Sequence, residues 1–193
     1  MQAGQAVAST ELIRKSLNAL LLEHQKPAAT LASMPRITPI TNPLMRVINL
    51  NKIVEFARTH ELISMIDNTF ASPINFRPAE LDFDISLHSC TKYLNGHSDI
   101  VAGAVIGRKD LIRKITHKLI HLGGSLDPHA CFLLHRGLKT LAVRMRYQND
   151  SALDVAKFLA AHPALETVNY PGLESHPHHL LAGYQMSTGG GRP

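Results

Sequence analysis

Two stretches of the chain hold residue types that can do chemistry together. One is Ser89-Cys90-Thr91-Lys92-Tyr93-Leu94-Asn95-Gly96-His97-Ser98-Asp99, and the other is Ile66-Asp67-Asn68-Thr69. Each follows an apolar run that reads as a buried strand and ends in a charged residue, which a core normally excludes. A lysine forms a Schiff base readily where burial makes its ammonium lose a proton cheaply. A carboxylate facing a pyridine nitrogen keeps that ring protonated and electron-withdrawing. Ser89, Thr91 and the backbone N–H groups of a strand-to-loop turn offer donors to a phosphate. An amine, an acid and phosphate donors at strand ends suit an anionic cofactor with a basic ring, namely pyridoxal phosphate. Spacing alone leaves plainer readings standing: Lys92 as a solvated loop lysine, Asp67 as a turn or helix-capping aspartate, Ser89 and Thr91 as turn hydroxyls.

The elements that must position these residues follow from the hydrophobic pattern. Leu62-Ile63-Ser64-Met65-Ile66 is short and apolar and reads as a strand ending at Asp67. Phe83 to Ser89 alternates and reads as the next strand, and Ile100 to Gly107 is a third, rich in small interior residues. A helix from Val47 to His60 buries Val47, Leu50, Val54 and Ala57 on one face. Another runs from Arg108 to Leu122, with Leu111, Ile112, Ile115, Leu119 and Ile120 on one side, and stops at Gly123-Gly124. A long helix from Pro128 to Tyr147, broken or bent around Gly137, precedes one capped by Asp150 or Ser151 and ending at His162-Pro163. Leu165 to Tyr170 is a last strand candidate. Towards the N-terminus, Ser9 or Thr10 caps a short helix to about His24, and Lys26 to Pro35 reads as a linker. From Gly183 the text reads as a flexible tail. Alternation of strand and helix predicts an α/β layered fold, in which ligands sit outside the carboxyl ends of strands, where Asp67 and Lys92 fall.

Composition narrows the function classes. With 193 residues and 45% apolar content, the chain supports one sizeable core or part of a larger one. No run approaches the roughly 18 apolar residues of a membrane span, and the N-terminus lacks the pattern of a secretory signal, so no membrane partner is expected. Cys90 and Cys131 share no CxxC spacing, which suits a reducing, cytoplasmic setting. The net charge of +5 is spread over helices, and its densest patch, Arg108 to Lys118, has no aromatic residue for base stacking, so no nucleic-acid partner is expected. Ser175-His176-Pro177-His178-His179 reads as a turn with solvated imidazoles rather than a metal site. Arg144 and Arg146 read as a solvated or interface helix face, and His97 as a hydrogen-bonding loop residue.

Residues Thr41 to Leu181 resemble the trans-sulfuration family of pyridoxal-phosphate enzymes. The likeness is carried by Thr41-Asn42-Pro43, by Asp67-Asn68-Thr69-Phe70-Ala71-Ser72-Pro73, by Ser89 to Asp99, by Arg136-Gly137-Leu138-Lys139-Thr140-Leu141 and by Tyr170-Pro171-Gly172-Leu173. The resemblance implies a three-layer, mostly parallel sheet of the aspartate-aminotransferase-like large domain, incomplete in this chain. It divides the chain into a divergent segment or linker at 1–37, a partial cofactor domain at 38–148, the start of a C-terminal domain at 149–182 and a tail at 183–193. By the same resemblance Lys92 carries the cofactor and moves protons, Asp67 pairs with the ring nitrogen, and Ser89 and Thr91 hold phosphate. Asn42 lies near the ring hydroxyl and Thr69 supports the ring pocket. The implied activity is cleavage or formation of C–S bonds in a small sulfur amino acid, cystathionine γ-lyase-like, in a dimeric or tetrameric cytoplasmic enzyme. The family's phosphate loop, its ring-stacking tyrosine and its substrate-carboxylate arginine have no counterpart in this text, and Thr38 stands where an acid is usual. The chain by itself is therefore expected to hold little cofactor. The alternative expectation is a catalytically inactive fragment that binds full-length homologues.

Overall fold

The computed structural model describes residues 3–8 and 37–186. Four strands form one sheet in the order β1-β4-β3-β2, where β1 is Ala3–Ala8, β2 Met65–Asp67, β3 Ile85–Ser89 and β4 Gly103–Arg108. β2 and β3 are parallel, with Met65 opposite Ile85 and Asp67 opposite Leu87. β4 runs antiparallel to both β3 and β1. The α/β class is as expected, and the sheet is mixed: among the described strands only β2 and β3 pair in parallel. β1 was not anticipated at all.

Six helices cover the sheet: α1 (Leu50–Thr59), α2 (Ser72–Asn75), α3 (Lys109–Leu122), α4 (Pro128–Leu138), α5 (Leu141–Ala160) and α6 (His179–Gln185). The period of two along each strand separates the layers. Ile85, Leu87 and Val105 face α3, packing with Leu111, Ile112, Ile115 and Leu119. Ile66 turns the other way, into a cluster with Leu50 and Val54 of α1. Ala102 and Ala104 meet Leu134, Leu141 and Met145 of α4 and α5 on that same side. The result is three layers. Small residues on β4 bring strands close; a Cβ on Gly107 would strike the carbonyl of Asp84.

Local chemistry explains the boundaries. Asn49 caps α1, its Oδ1 accepting from Lys52 N at 3.2 Å. Asp127 caps α4 in the same way through Ala130 N, with Pro128 in the first turn. Gly123 ends α3 in the left-handed conformation, at φ 71°.

Four sequence expectations need correction. The helix expected from Pro128 to Tyr147 is broken, as one of the two alternatives had it, but at Lys139-Thr140 rather than at Gly137, and its second part continues beyond Tyr147. The helix expected to start at Asp150 or Ser151 does not start there, because α5 runs unbroken to Ala160. Met145 and Ala156, three turns apart, are buried on the same helix, so one amphipathic face carries the chain past both cap-like residues. Leu165 to Tyr170 forms no strand: it is largely exposed, and both edges of β4 are already taken by β3 and β1. Gly183 to Gln185 are helical rather than a tail. The Gln185 amide ties α6 to the start of α1, accepting from Leu50 N and donating to the Ile48 carbonyl, each at 2.8 Å. The helix expected to about His24, the linker and residues 187–193 lie outside the described residues. Among the described residues no helix is long and apolar enough to cross a membrane.

Candidate functional site

The parallel pairing of β2 and β3 delivers Asp67 and Ser89 to the same end of the sheet. Directly after Ser89 the chain makes one wide π-type turn, Cys90–Leu94, interrupted at Lys92, whose ψ of −123° is not helical. Wide turns of this kind concentrate at functional sites. The interruption leaves Lys92 exposed while Cys90 and Leu94 are buried on either side. Burial pushes the Cys90 thiol up to about 12, so it packs as a small apolar group and is no nucleophile. The Lys92 amine has no hydrogen-bond or ion-pair partner among the described residues.

A cavity of about 880 Å³ opens beside this turn. Asn42, Thr69, Thr91 and Lys92 line it, with Tyr93, Ser98, Asp99, Arg144 and Gln148. Four of the six residues singled out from sequence therefore share one cavity wall. The other two stand directly behind it, joined to it by Thr69. Thr69 N donates to Asp67 Oδ1 at 3.0 Å, and Thr69 Oγ1 accepts from Ser89 N at 2.8 Å. Thr69 thus fixes the carboxylate and the strand end relative to each other. Thr91 is engaged differently: its N–H and its hydroxyl both donate to the Ala102 carbonyl at 3.3 Å, and the hydroxyl accepts from Ala102 N at 3.1 Å. That arrangement pins the turn to β4's leading residues. Among the described residues the Ser89 hydroxyl has no partner, which leaves it the freer phosphate donor of the two.

One residue before Ser89, on the opposite face of β3, His88 is buried and its Nε2 shares a hydrogen bond with Ser86 Oγ at 3.2 Å. Burial lowers its pKa to about 4, although the Asp67 charge pulls the other way. His88 is therefore neutral at pH 7.

The far rim is polar and tightly bonded. Asn95 Nδ2 donates to Asp99 Oδ1 at 2.6 Å, and Arg136 Nη2 donates to Asp99 Oδ2 at 2.7 Å. The Asn95 hydrogen bond holds the Asp99 carboxyl below its ordinary range against the opposing effect of burial, and the Arg136 charge adds a lesser pull in the same downward direction. The His97 ring meets the Asn95 carbonyl through Nδ1 at 2.6 Å. Arg144 was expected on a solvated or interface face. It instead reaches across to the lysine turn, donating to the Tyr93 carbonyl at 3.0 Å and to the Gly137 carbonyl at 2.9 Å. Sequence gave no sign of this, because the partners lie 51 and 7 residues away and are backbone atoms. The histidine run is a turn, as expected, but its imidazoles are not solvated. His176 is buried and accepts from His178 N, while His178 Nδ1 accepts from Val47 N at 3.0 Å.

The donor set fits a phosphorylated ring aldehyde. It offers an unpaired amine on the cavity wall, a free hydroxyl and a carboxylate at one sheet end, and an amide from Asn42. Comparison with known proteins points the same way. Residues 32–191 match the family model described as Cys/Met metabolism PLP-dependent enzyme. The chain is 46% identical over 153 residues to cystathionine beta-lyase of Coxiella burnetii, covering 78% of this chain and 40% of that protein. It is 46% identical over 152 residues to the probable cystathionine gamma-synthase of Herpetosiphon aurantiacus, covering 78% and 48%. Among solved structures, cystathionine gamma-synthase from Xanthomonas oryzae pv. oryzae, in complex with aminoacrylate and cysteine, superposes with a TM-score of 0.82 at 30% identity. It covers 96% of this chain and 59% of that one. Cystathionine gamma-lyase from Lactobacillus plantarum, complexed with L-serine, gives 0.83 at 30% identity, covering 95% and 59%. The chain thus spans 40% and 48% of those two curated relatives.

Proposed function

Because the chain belongs to the Cys/Met metabolism family of pyridoxal-phosphate-dependent enzymes, we propose that it carries the lysine half of a cofactor site that makes or breaks C–S bonds in small sulfur amino acids. The observation that carries this is the convergence of Asn42, Thr69, Thr91 and Lys92 on one cavity, with Asp67 tied to it through Thr69. When bound, pyridoxal phosphate supplies an aldehyde for the Lys92 amine and a ring that draws electrons from the substrate's α carbon. Lys92 Nζ holds and moves the proton. Asp67 would hold the ring nitrogen through Oδ2, its Oδ1 being engaged by Thr69 N. Ser89 Oγ and the Thr91 hydroxyl would be the phosphate donors. Asn42, in the same cavity wall, would hold the ring hydroxyl.

Within that class the specific activity proposed is γ-cleavage of cystathionine, on the Asn95-Gly96-His97-Ser98-Asp99 wording. The assembly proposed is a dimer or tetramer; the exposed apolar side chains of α4 and α5, Phe132, Val143, Tyr147 and Phe158, support self-association. The location proposed is the cytoplasm, and the domain division at 148/149 stands as a proposal beside the unbroken α5.

The test is product identity after adding cofactor and cystathionine, with the chain alone and mixed with a full-length relative. γ-Cleavage consumes water and releases cysteine, 2-oxobutanoate and ammonia; β-cleavage releases homocysteine, pyruvate and ammonia. 2-Oxobutanoate that depends on Lys92 supports the reading, pyruvate moves it to β-cleavage, and no keto acid in either arm overturns it in favour of an inactive binding partner.

A further inference from the structure

We propose that Arg144 is a positioning residue for Lys92, clamping the turn that carries the lysine onto the corner between α4 and α5. The inference rests on reading Lys92 as the cofactor lysine. Arg144 lies in the first turns of α5 and in the wall of the same cavity. Its Nη1 donates to the Tyr93 carbonyl at 3.0 Å, and its Nη2 to the Gly137 carbonyl at 2.9 Å and the Asn95 carbonyl at 3.5 Å. Its Nε donates to Thr140 Oγ1 at 3.0 Å.

Those carbonyls are what such a clamp needs. Tyr93, Asn95 and Gly137 sit at the closing ends of the wide turn and of α4, where carbonyls carry partial negative charge; Gly137 O also accepts from Thr140, and Asn95 O also meets the His97 ring. A guanidinium presents several N–H groups from one plane, so a single side chain serves both ends at once. No carboxylate pairs with Arg144 among the described ion pairs. Three of its hydrogen bonds go to backbone carbonyls and one to the Thr140 hydroxyl.

Two glycines make room for it. Gly96 has φ of +74°, and a Cβ there would enter the Arg144 guanidinium. Gly137 touches the backbone of Asn95, and a Cβ there would strike the Asn95 carbonyl. Gly96 N in turn donates to the carbonyl of Lys92 itself at 2.7 Å. A continuous path therefore leads from the guanidinium, through Tyr93, Asn95 and Gly96, to the lysine's backbone.

The experiment uses the 193-residue chain with Arg144→Ala and Arg144→Lys. Amide exchange is followed at Tyr93 to Ser98 and, as a fold control, at Leu111 to Leu119. Attachment of pyridoxal phosphate to Lys92 is trapped with borohydride and quantified by peptide mass spectrometry, with and without methylguanidine. In Arg144→Ala we expect exchange of the turn and the trapping rate at Lys92 each to change about tenfold, faster and slower respectively, as charge-assisted hydrogen bonds are lost. Leu111 to Leu119 should be unaffected, Arg144→Lys should recover part of the loss, and methylguanidine should rescue trapping in Arg144→Ala alone. Unchanged turn exchange in both variants overturns the inference, and so does equal acceleration at Leu111 to Leu119. Should Arg144→Ala fail to fold, Arg144→Lys decides, wild-type behaviour again overturning the clamp. If the wild-type chain shows no trapping at Lys92, the cofactor reading fails, and turn exchange still decides the clamp.

Discussion

The layer of α3 on the sheet and the turn that carries Lys92 are held by different physics, though β3 runs straight from one into the other. α3 meets β3 and β4 through Leu111, Ile112, Ile115 and Leu119 against Ile85 and Val105, an apolar contact with no direction beyond the fit of shapes. The turn from Cys90 to Asp99 rests on Cys90 and Leu94, and its shape is set by directed bonds: Thr91 to Ala102, Asn95 to Asp99, Arg144 to Tyr93 and Gly137. Volume fixes the first and geometry fixes the second. A stable layer therefore presents a turn whose lysine is positioned by polar contacts and left exposed.

The comparison implies that damage to either region should be separable. The largest effect is expected from Ile115→Ala, since Ile115 is fully buried: about 4 kcal/mol of stability lost to transfer and cavity costs, measured by urea unfolding. Trapping of cofactor at Lys92 by the remaining folded chain should be near normal. A trapping loss larger than the unfolded fraction would break the separation.

The seam between the regions is expected to show in acid. His88 has its folded pKa lowered from 6.5 to about 4, so between these values the unfolded chain binds the extra proton. Stability contributed by neutral His88 is complete above pH 6.5, falls as pH drops towards 4 and is level below it, about 3 kcal/mol in all. His88→Gln should flatten that limb of an unfolding series, and a limb of unchanged steepness would deny His88 the role.

Gly137→Ala comes third. Its methyl group meets the Asn95 backbone, so the turn and the end of α4 must part, at a cost of about 2 kcal/mol. Exchange should rise at Tyr93 to Ser98 and stay slow at Leu111 to Leu119. Uniform acceleration would mean that the two regions are one cooperative unit.

How much of this was legible in the sequence follows the same division. The α3 layer was readable because its apolar residues repeat at helical spacing and a glycine ends it. Lys92 and Asp67 were readable as charges at strand ends, and their neighbours as members of a recognisable text. What stayed hidden was long-range or competitive. β1 needed an edge of β4 that no local pattern announces. The break between α4 and α5 was expected near Gly137 but falls at Lys139-Thr140, and nothing in the spacing of apolar residues encodes that position. Asp150 and Ser151 have the chemistry of caps, yet the buried face of α5 continues past them. Arg144 was misplaced because its partners are carbonyls, which every residue has.

The most direct measurement of the central claim is where pyridoxal phosphate attaches. The chain is incubated with cofactor, reduced with borohydride and digested, and the labelled lysines are identified by mass. Occupancy is expected to be low but concentrated on Lys92, and to vanish in Lys92→Ala. Label spread evenly over Lys109, Lys114, Lys118 and Lys157, or absent from Lys92, would contradict the account.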